Sequence, residues 1–364
     1  MVRVEGLTKH FRVGNRTIQA VGGVTFSIPQ GAFFTLLGPS GCGKTTILRC
    51  IAGLEQPDAG EVWLDERLVY SHSRGTAIPP HRRDLGVVFQ SYAIWPHMTV
   101  YENAAFPLEV RRRPGGEVRR RVREVLELVG LDGLEARPAP SLSGGQQQRL
   151  ALARALVHAP KVLLLDEPLS NLDAKLREQL GRELKSIQRR VGVTTCYVTH
   201  DQAEALTLSD VVGVMTEGRL IQTGPPREVY AHPHDPFVAW FVGAANLLPG
   251  RLETVNGIAM VTTACGSLRC ASPNGLSSGE VLLCLRPEDI KIVTDRPVTD
   301  GLNVWSGILE DVVFSGESSE AYVRVTGTTL RARGAGTAFP PAGTTVYVVF
   351  PPERCVVVPR GAAG

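Results

Sequence analysis

The chain has 364 residues, of which 43% are hydrophobic, and a formal net charge of +3. This length allows two or three domains with buried cores, and so small a charge argues against a general nucleic-acid-binding protein. There is no apolar run of about 18 residues and charged residues follow Met1 at once, so we expect no membrane-spanning helix, no secretory signal and an intracellular protein. The seven cysteines are odd in number and scattered, which indicates reduced thiols.

The first informative motif is the glycine-rich segment 38–45, which fits the phosphate-loop pattern G-x-x-x-x-G-K-[ST]. It follows residues 32–37, an apolar run typical of a buried strand, and precedes residues 47–52, whose apolar spacing is helical. In such a loop the backbone N–H groups surround phosphate oxygens, the lysine reaches the terminal phosphates and the threonine hydroxyl binds Mg²⁺. We therefore predict that a nucleoside triphosphate is bound by Gly38, Pro39, Ser40, Gly41, Cys42, Gly43, Lys44, Thr45 and Thr46. The thiol of Cys42 could be silent packing or a reactive thiolate beside Lys44.

A mostly helical segment follows, from Pro96 to about residue 158. Its arginine clusters at 111–113 and 119–121 are interleaved with glutamates, which favours a solvated helix face, with contact to acidic lipid as the alternative. The segment contains Leu142-Ser143-Gly144-Gly145-Gln146, a small-residue turn that opens a helix and is a candidate second anion site.

Two acidic residues come next, directly after the apolar run 162–165. Asp166 and Glu167 then fall at the carboxyl end of a buried strand, where open α/β sheets bind ligands. We predict that Asp166 lies beside Mg²⁺ and Glu167 beside an attacking water, the alternative being that the pair caps the next helix. Strand-like runs return at 195–198 and 211–215 and complete an α/β core.

Past residue 245 the sequence changes to short β-branched runs separated by glycine and proline, which predicts a small all-β barrel. Some of its positions repeat, a pattern that indicates two related β-units or coincidental matches among strands. The first copy has Asn246, Gly250, Leu252 and Glu253, and the second has Asn303, Gly307, Leu309 and Glu310. We predict an ATP-binding domain at 1–240, with a helical subdomain at about 96–158, and a β-rich domain at 241–364.

Six elements in order make the chain resemble the ATP-binding subunits of ABC transporters. They are the phosphate loop, Gln90 after strand 85–89, Leu142 to Gln146, Asp166-Glu167, the segment Ser170 to Asp173, and His200. The resemblance implies an α/β P-loop core with an inserted helical subdomain. It also implies that the Ser-Gly-Gly turn of one subunit covers the γ-phosphate bound by another, so that a head-to-tail homodimer encloses two ATP molecules.

The resemblance also implies roles for the remaining residues, each of which has a simpler reading. Gln90 would ligate Mg²⁺ or touch the lytic water and sense the partner, although amides are common in loops. His200 would lie beside the phosphates, although a lone histidine is usually structural. Asp173 would reach across the dimer interface or merely cap a helix. Phe11 would stack on adenine or be an ordinary core aromatic. Catalysis is thus assigned to Glu167, His200 and Gln90, and Mg²⁺ binding to Thr45, Gln90 and Asp166.

The β-rich tail resembles the OB-like regulatory domain of importer ATPases, through residues 285–289, LRPED. This likeness implies an ATPase on the cytoplasmic face of the inner membrane, peripheral to integral-membrane permease subunits that an external solute-binding protein supplies. Export ATPases and soluble ABC ATPases of translation or repair are the alternatives. Residues 91–100 and 241–249 look most like ferric-iron and polyamine importers, with sugar importers close behind.

Overall fold

The structure, a computed structural model, describes residues 1–255, 258–270, 276, 278–298, 301–336 and 339–360. The chain divides into two compact units, Met1–Pro226 and Arg227–Gly364. Among the helices of the described ranges, none is at once long and apolar enough to cross a bilayer.

The first unit contains two β-sheets and six α-helices. Its strands are β1 (Val2–Val13), β2 (Arg16–Ile28), β3 (Phe33–Leu37), β4 (Ala59–Leu64), β5 (Arg67–Ser71), β6 (Thr76–Ala77), β7 (Leu85–Val88), β8 (Val162–Asp166), β9 (Thr194–Thr199), β10 (Val211–Thr216) and β11 (Arg219–Gly224). Its helices are α1 (Lys44–Ala52), α2 (Val100–Val110), α3 (Gly115–Leu128), α4 (Gly144–Leu156), α5 (Ala174–Val191) and α6 (Gln202–Leu208).

The central sheet has the order β11-β10-β3-β9-β8-β7, and all neighbours except β11 run parallel. Its strands read as continuous apolar runs because both faces are covered: Leu163 and Leu165 enter one core while Leu164 enters the other. The carboxyl ends of β3, β7, β8 and β9 meet at one edge, so the residues that follow these strands converge there. The second sheet, β2-β1-β4-β5-β6, is antiparallel.

The helices α2, α3 and α4 form the inserted subdomain. Helix α2 begins at a capping box between Thr99 and Glu102. Helix α3 has one apolar face: Val118, Val122 and Val125 recur at helical spacing and are all buried. This subdomain shares its core with one face of the central sheet.

The second unit is almost entirely β-structure, which confirms the predicted fold class of an α/β core followed by an all-β region. Helix α7 (Pro226–Ala231) begins at the boundary and α8 (Pro236–Phe241) follows it. The strands are β12 (Asn246–Val255), β13 (Ile258–Thr263), β14 (Gly266–Arg269), β15 (Gly279–Leu285), β16 (Lys291–Val293), β17 (Asn303–Phe314), β18 (Ser318–Val325), β19 (Thr328–Ala335), β20 (Thr345–Phe350) and β21 (Val356–Pro359).

These strands form two five-stranded sheets that exchange their last members. One sheet has the order β14-β13-β12-β15-β21 and the other the order β16-β20-β17-β18-β19. The matched asparagines at the start of β12 and β17 make equivalent bonds: Asn246 bonds the backbone of Arg331, and Asn303 bonds the backbone of Arg269. Each half of the repeat is therefore tied to the other by backbone pairing and by an asparagine side chain.

Buried Arg286 joins the helices of the second unit to its sheets. Its guanidinium donates to the carbonyls of Ala239 and Tyr230 and lies 4.2 Å from the centre of the Tyr230 ring. These contacts give a physical reason why the compact units divide at the start of α7, whereas the sequence suggested a boundary near residue 240.

Candidate nucleotide site

The phosphate loop connects β3 to α1, as its sequence context predicted. Gly43 has φ +103°, and a Cβ there would lie 2.2 Å from the carbonyl oxygen of Ala20. A Cβ on Gly38 would lie 2.3 Å from the carbonyl oxygen of Met215. Glycine is needed at both positions because backbone atoms leave no room for a side chain. Helix α1 begins at Lys44, so the positive end of its dipole and its free N–H groups face the loop.

Lys44 is only 4% exposed, and its ammonium lies over the loop. It donates to the carbonyls of Gly38 at 2.8 Å and Pro39 at 2.9 Å, and lies 3.7 Å from the sulfur of Cys42. Burial raises the pKa of the Cys42 thiol although Lys44 opposes the shift, so the neutral thiol is favoured. Of the two readings of Cys42, this environment favours packing over a reactive thiolate. Ser40 and Gly41 are exposed at the tip of the loop, and Thr46 lies in the first turn of α1.

Thr45 and Asp166 are brought together from distant parts of the chain. The Thr45 hydroxyl donates to a carboxylate oxygen of Asp166 at 2.7 Å. Burial raises the pKa of Asp166, and the Thr45 bond opposes that rise. A hydroxyl and a carboxylate are hard oxygen donors that suit Mg²⁺ together with phosphate oxygens. Among the described residues no group of three His, Cys, Asp or Glu side chains could hold a metal, so the donor set fits a shared Mg²⁺–phosphate site and no all-protein metal cage.

Glu167 follows Asp166 at the end of β8 and has an unusual backbone. Its φ is +46°, and its N–H bonds the carbonyl of Val198 in β9. Its carboxylate lies 3.0 Å from Nδ1 of His200, which follows β9. Left-handed φ is uncommon outside glycine, and such strain is concentrated at functional sites. The structure thus pairs the two residues that the sequence assigned to the attacking water and the phosphates.

Gln90 lies on the exposed turn after β7, at the same edge of the sheet. Its carbonyl accepts a hydrogen bond from the side-chain amide of Asn171 at 3.0 Å. Asn171 belongs to the segment 170–173 that follows Glu167, and Ser170 bonds the carbonyl of Glu167 at 2.9 Å. The segment carrying Gln90 is therefore connected to the segment carrying Glu167.

The Ser-Gly-Gly turn begins helix α4. Ser143 caps the helix: its oxygen accepts from the N–H of Gln146, and the side chain of Gln146 accepts from the N–H of Ser143. Leu142 and Gly145 are buried, whereas Ser143 and Gly144 are exposed at the helix N-terminus. This capping box presents the turn outward in a fixed conformation.

Asp173 and Phe11 each have a local role in the structure. Asp173 caps α5 by accepting from the N–H of Leu176 at 3.0 Å, which is the simpler of its two predicted roles. Phe11 is 37% exposed on β1 and pairs with Ile18 of β2, two residues before Ala20, which contacts the phosphate loop. The Lys9 ammonium lies 5.1 Å from the centre of the Phe11 ring. The stacking of this ring on adenine stays a prediction.

Two contacts were not anticipated from the sequence. Asn171 was part of a motif but had no assigned contact, and Arg154 on α4 was not singled out. Arg154 donates to the carbonyls of Tyr92 and Ala93, directly after Gln90. A single arginine within the apolar run 150–156 signals a buried charge, but the sequence does not say which groups it bonds.

Such a convergence of a phosphate loop, an acidic pair, a histidine and a separate Ser-Gly-Gly helix defines the class of ABC-type P-loop ATPases. A family model described as ABC transporter matches residues 21–170, and a TOBE domain model matches residues 283–358.

Similar proteins point the same way. The spermidine/putrescine import ATP-binding protein PotA of Acidothermus cellulolyticus is 44% identical over 97% of this chain and 92% of its own length. The trehalose/maltose import ATP-binding protein MalK of Thermococcus litoralis is 44% identical over 92% of this chain and 91% of its own length. A bacterial ABC transporter cassette solved as a dimer is similar with a TM-score of 0.55 and 33% identity, covering 62% of this chain and 99% of the cassette. The chain belongs to the family of importer-type ABC ATP-binding subunits with a C-terminal OB-like domain, and it is an ATPase.

Proposed function

We propose that the chain is the ATP-hydrolysing subunit of an import complex and works as a head-to-tail homodimer. The observation that carries this proposal is the convergence at one sheet edge of the Thr45–Asp166 pair, at 2.7 Å, and the Glu167–His200 pair, at 3.0 Å. Ser143 begins a different helix and is exposed. In a dimer it can meet the phosphates bound by the partner subunit. The dimeric cassette that resembles this chain supports such pairing.

The proposed mechanism assigns one task to each group. The loop N–H groups, the N-terminus of α1 and Lys44 bind the phosphates of ATP, and Phe11 stacks on adenine. Thr45, Asp166 and Gln90 would hold Mg²⁺, which when bound neutralises charge on the phosphates. Glu167 accepts a hydrogen bond from the attacking water, and His200, whose Nδ1 lies 3.0 Å from the Glu167 carboxylate, orients that carboxylate beside the phosphates. Phosphoryl transfer depends mainly on this positioning and charge stabilisation.

The proposed partners and location are those expected for this family. The dimer would bind integral-membrane permease subunits from the cytoplasmic face of the inner membrane, and an external solute-binding protein would deliver the cargo. No part of the proposal involves nucleic acid.

Polyamines are the proposed cargo. A spermidine/putrescine importer subunit and a trehalose/maltose importer subunit are each 44% identical to the chain. The match to the first covers 97% of the chain, and the match to the second covers 92%. A sugar importer is therefore the second candidate. Ferric iron, expected from the sequence alongside polyamines, gains no support from these relatives.

Mixing two inactive variants tests the shared sites. Lys44→Ala removes the phosphate-binding ammonium, and Ser143→Arg places a bulky cation in the covering turn. A mixed dimer has one site with both changes and one intact site. Since about half of the dimers are mixed, activity is expected to return to about a quarter of the wild-type rate at most. Phosphate release by each variant alone and by the mixture measures this. A Ser143→Arg chain that hydrolyses ATP normally as a monomer would contradict sharing.

Uptake in cells tests the cargo. Introducing Lys44→Ala into the chromosomal copy should lower the uptake of labelled spermidine by at least about tenfold, because each transport cycle then lacks ATP turnover. The uptake of labelled maltose and trehalose serves as the control and should not change. Loss of sugar uptake with normal spermidine uptake would assign the chain to sugar import instead.

A further inference from the structure

The backbone directly after Gln90 has an unfavourable conformation. Tyr92 has φ +60° and Ala93 has φ +48°, so two consecutive non-glycine residues are left-handed. The left-handed conformation is unfavourable for residues other than glycine, because the Cβ atom lies too close to the following carbonyl oxygen. This corner therefore persists only because surrounding contacts hold it.

Arg154 supplies the contacts. Its two terminal nitrogens donate to the Ala93 carbonyl at 2.6 Å and the Tyr92 carbonyl at 2.7 Å. Its guanidinium also lies 4.4 Å from the centre of the Trp95 ring. The planar fork of arginine matches two neighbouring carbonyls and an aromatic face at once, which a lysine ammonium cannot do.

Burying this charge is costly, which indicates a specific purpose. Arg154 is 9% exposed, and burial lowers its pKa with no carboxylate to offset the effect among the described residues. Taking this cation out of water is costly, and among the described residues two main-chain carbonyls and the Trp95 ring offset that cost. The arrangement makes sense if the position of the bonded backbone matters.

The backbone segment that Arg154 holds lies between two parts of the proposed ATPase. Arg154 is on α4, the helix that Ser143 caps, so the Ser-Gly-Gly turn and the backbone of Arg154 belong to one continuous helix. On the other side, Asn171 holds the Gln90 carbonyl to the segment that follows Glu167. Gln90 serves the ATP bound by its own chain, whereas Ser143 serves the ATP bound by the partner.

We infer that Arg154 is a positioning residue that links the two ATP sites of the dimer, by fixing Gln90 of one site to the helix whose N-terminus covers the other. This inference rests on the proposed function. When Ser143 engages the partner's nucleotide, α4 shifts, and Arg154 carries the corner at Tyr92 and Ala93 with it. Gln90 then reaches its working position most readily when the opposite site is closed. Hydrolysis at the two sites is therefore coupled through each chain.

The test uses the full-length chain with Arg154→Met and Arg154→Lys. Arg154→Met removes both hydrogen bonds at similar volume, so kcat should fall about 10- to 100-fold, because small misplacements at a phosphoryl-transfer site are that costly. The Hill coefficient for ATP should fall to about 1, since cooperativity is lost. The affinity for ATP, measured without Mg²⁺ by equilibrium dialysis, should stay within about twofold, because the phosphate loop is unchanged. Arg154→Lys retains one donor and should recover part of both kcat and the Hill coefficient.

Arg83→Met is the matched control. Arg83 is similarly buried, at 5% exposure, and donates only to backbone carbonyls, those of Cys50, Ile51 and Ile78. Arg83→Met and Arg154→Met should lower the melting temperature by similar amounts, because each leaves buried carbonyls without a donor, but Arg83→Met should keep the Hill coefficient of the wild type. An Arg154→Met chain with wild-type kcat and cooperativity would overturn the inference, as would equal losses of both in Arg83→Met. A wild-type chain that fails to form ATP-dependent dimers would instead overturn the proposed function, and this inference with it.

Discussion

Replacing Glu167 by glutamine is expected to lower ATP turnover by about 10²- to 10³-fold while ATP binding persists. Glutamine has the same shape but is a poorer acceptor for the attacking water, and the Glu167–His200 contact at 3.0 Å loses its charge. Lys44 and the loop amides are untouched. The variant should therefore accumulate as an ATP-bound dimer, which gel filtration with and without ATP detects alongside steady-state phosphate release.

Lys44→Ala is the contrasting variant for this experiment. It removes the buried ammonium that lies over the loop, so it should lose affinity for ATP and remain unable to form the nucleotide-dependent dimer. A Glu167→Gln chain that stays monomeric with ATP and turns it over at the wild-type rate would remove Glu167 from the mechanism.

Gly43→Ala is expected to be the most damaging glycine-to-alanine change among the described residues. Its Cβ would lie 2.2 Å from the Ala20 carbonyl oxygen, and its φ of +103° is unfavourable for any L-residue. The obstacle is backbone, so no side chain can rotate away and the loop itself must shift. We expect a loss of about 2–5 kcal/mol in the free energy of unfolding from strain and overpacking together. ATP affinity should fall by at least about 10²-fold, because the N–H groups of the shifted loop no longer point at the phosphate oxygens.

Gly41→Ala separates strain from collision. Gly41 also has a positive φ, +81°, but no heavy atom lies within 4 Å of the position that an alanine methyl group would take there. Denaturant unfolding of both variants should show a loss of only about 1–2 kcal/mol for Gly41→Ala. Equal losses for the two would show that the Ala20 contact is unimportant.

The parts of the site that lie in short continuous motifs could be predicted from the sequence. The loop at Gly38 to Thr45 and the pair Asp166-Glu167 each follow an apolar strand, so a local pattern specifies both chemistry and place. The parallel arrangement of β3 and β8 then brings Thr45 and Asp166 together, because carboxyl ends share an edge. The roles assigned to these residues in ATP turnover stay predictions.

Contacts between distant segments could not be read in this way. Nothing in the residues around Arg154 shows that its guanidinium reaches the carbonyls of Tyr92 and Ala93, because backbone acceptors carry no sequence signal. For the same reason the sequence left two roles open for Asp173, a helix cap and a contact across the dimer interface. The cap depends only on local geometry, whereas the interface contact depends on a second chain. The repeat beginning at Asn246 and Asn303 was visible, but not that the two sheets exchange strands.

The exchange of strands between the two sheets of the second unit determines when this unit can finish folding during synthesis. Strand β16 pairs with β20, so its sheet is incomplete until the ribosome has passed residue 350. Strand β21 pairs with β15, so the other sheet is incomplete until the ribosome has passed residue 359. The sheets of the first unit are complete once β11, which ends at Gly224, has been synthesised, so this unit can fold before the second one. A premature stop before Val356 would leave the edge of β15 unpaired, and an open edge of that kind invites association with other chains. The short strand Val356–Pro359 is thus the last element needed to cover the edge of β15.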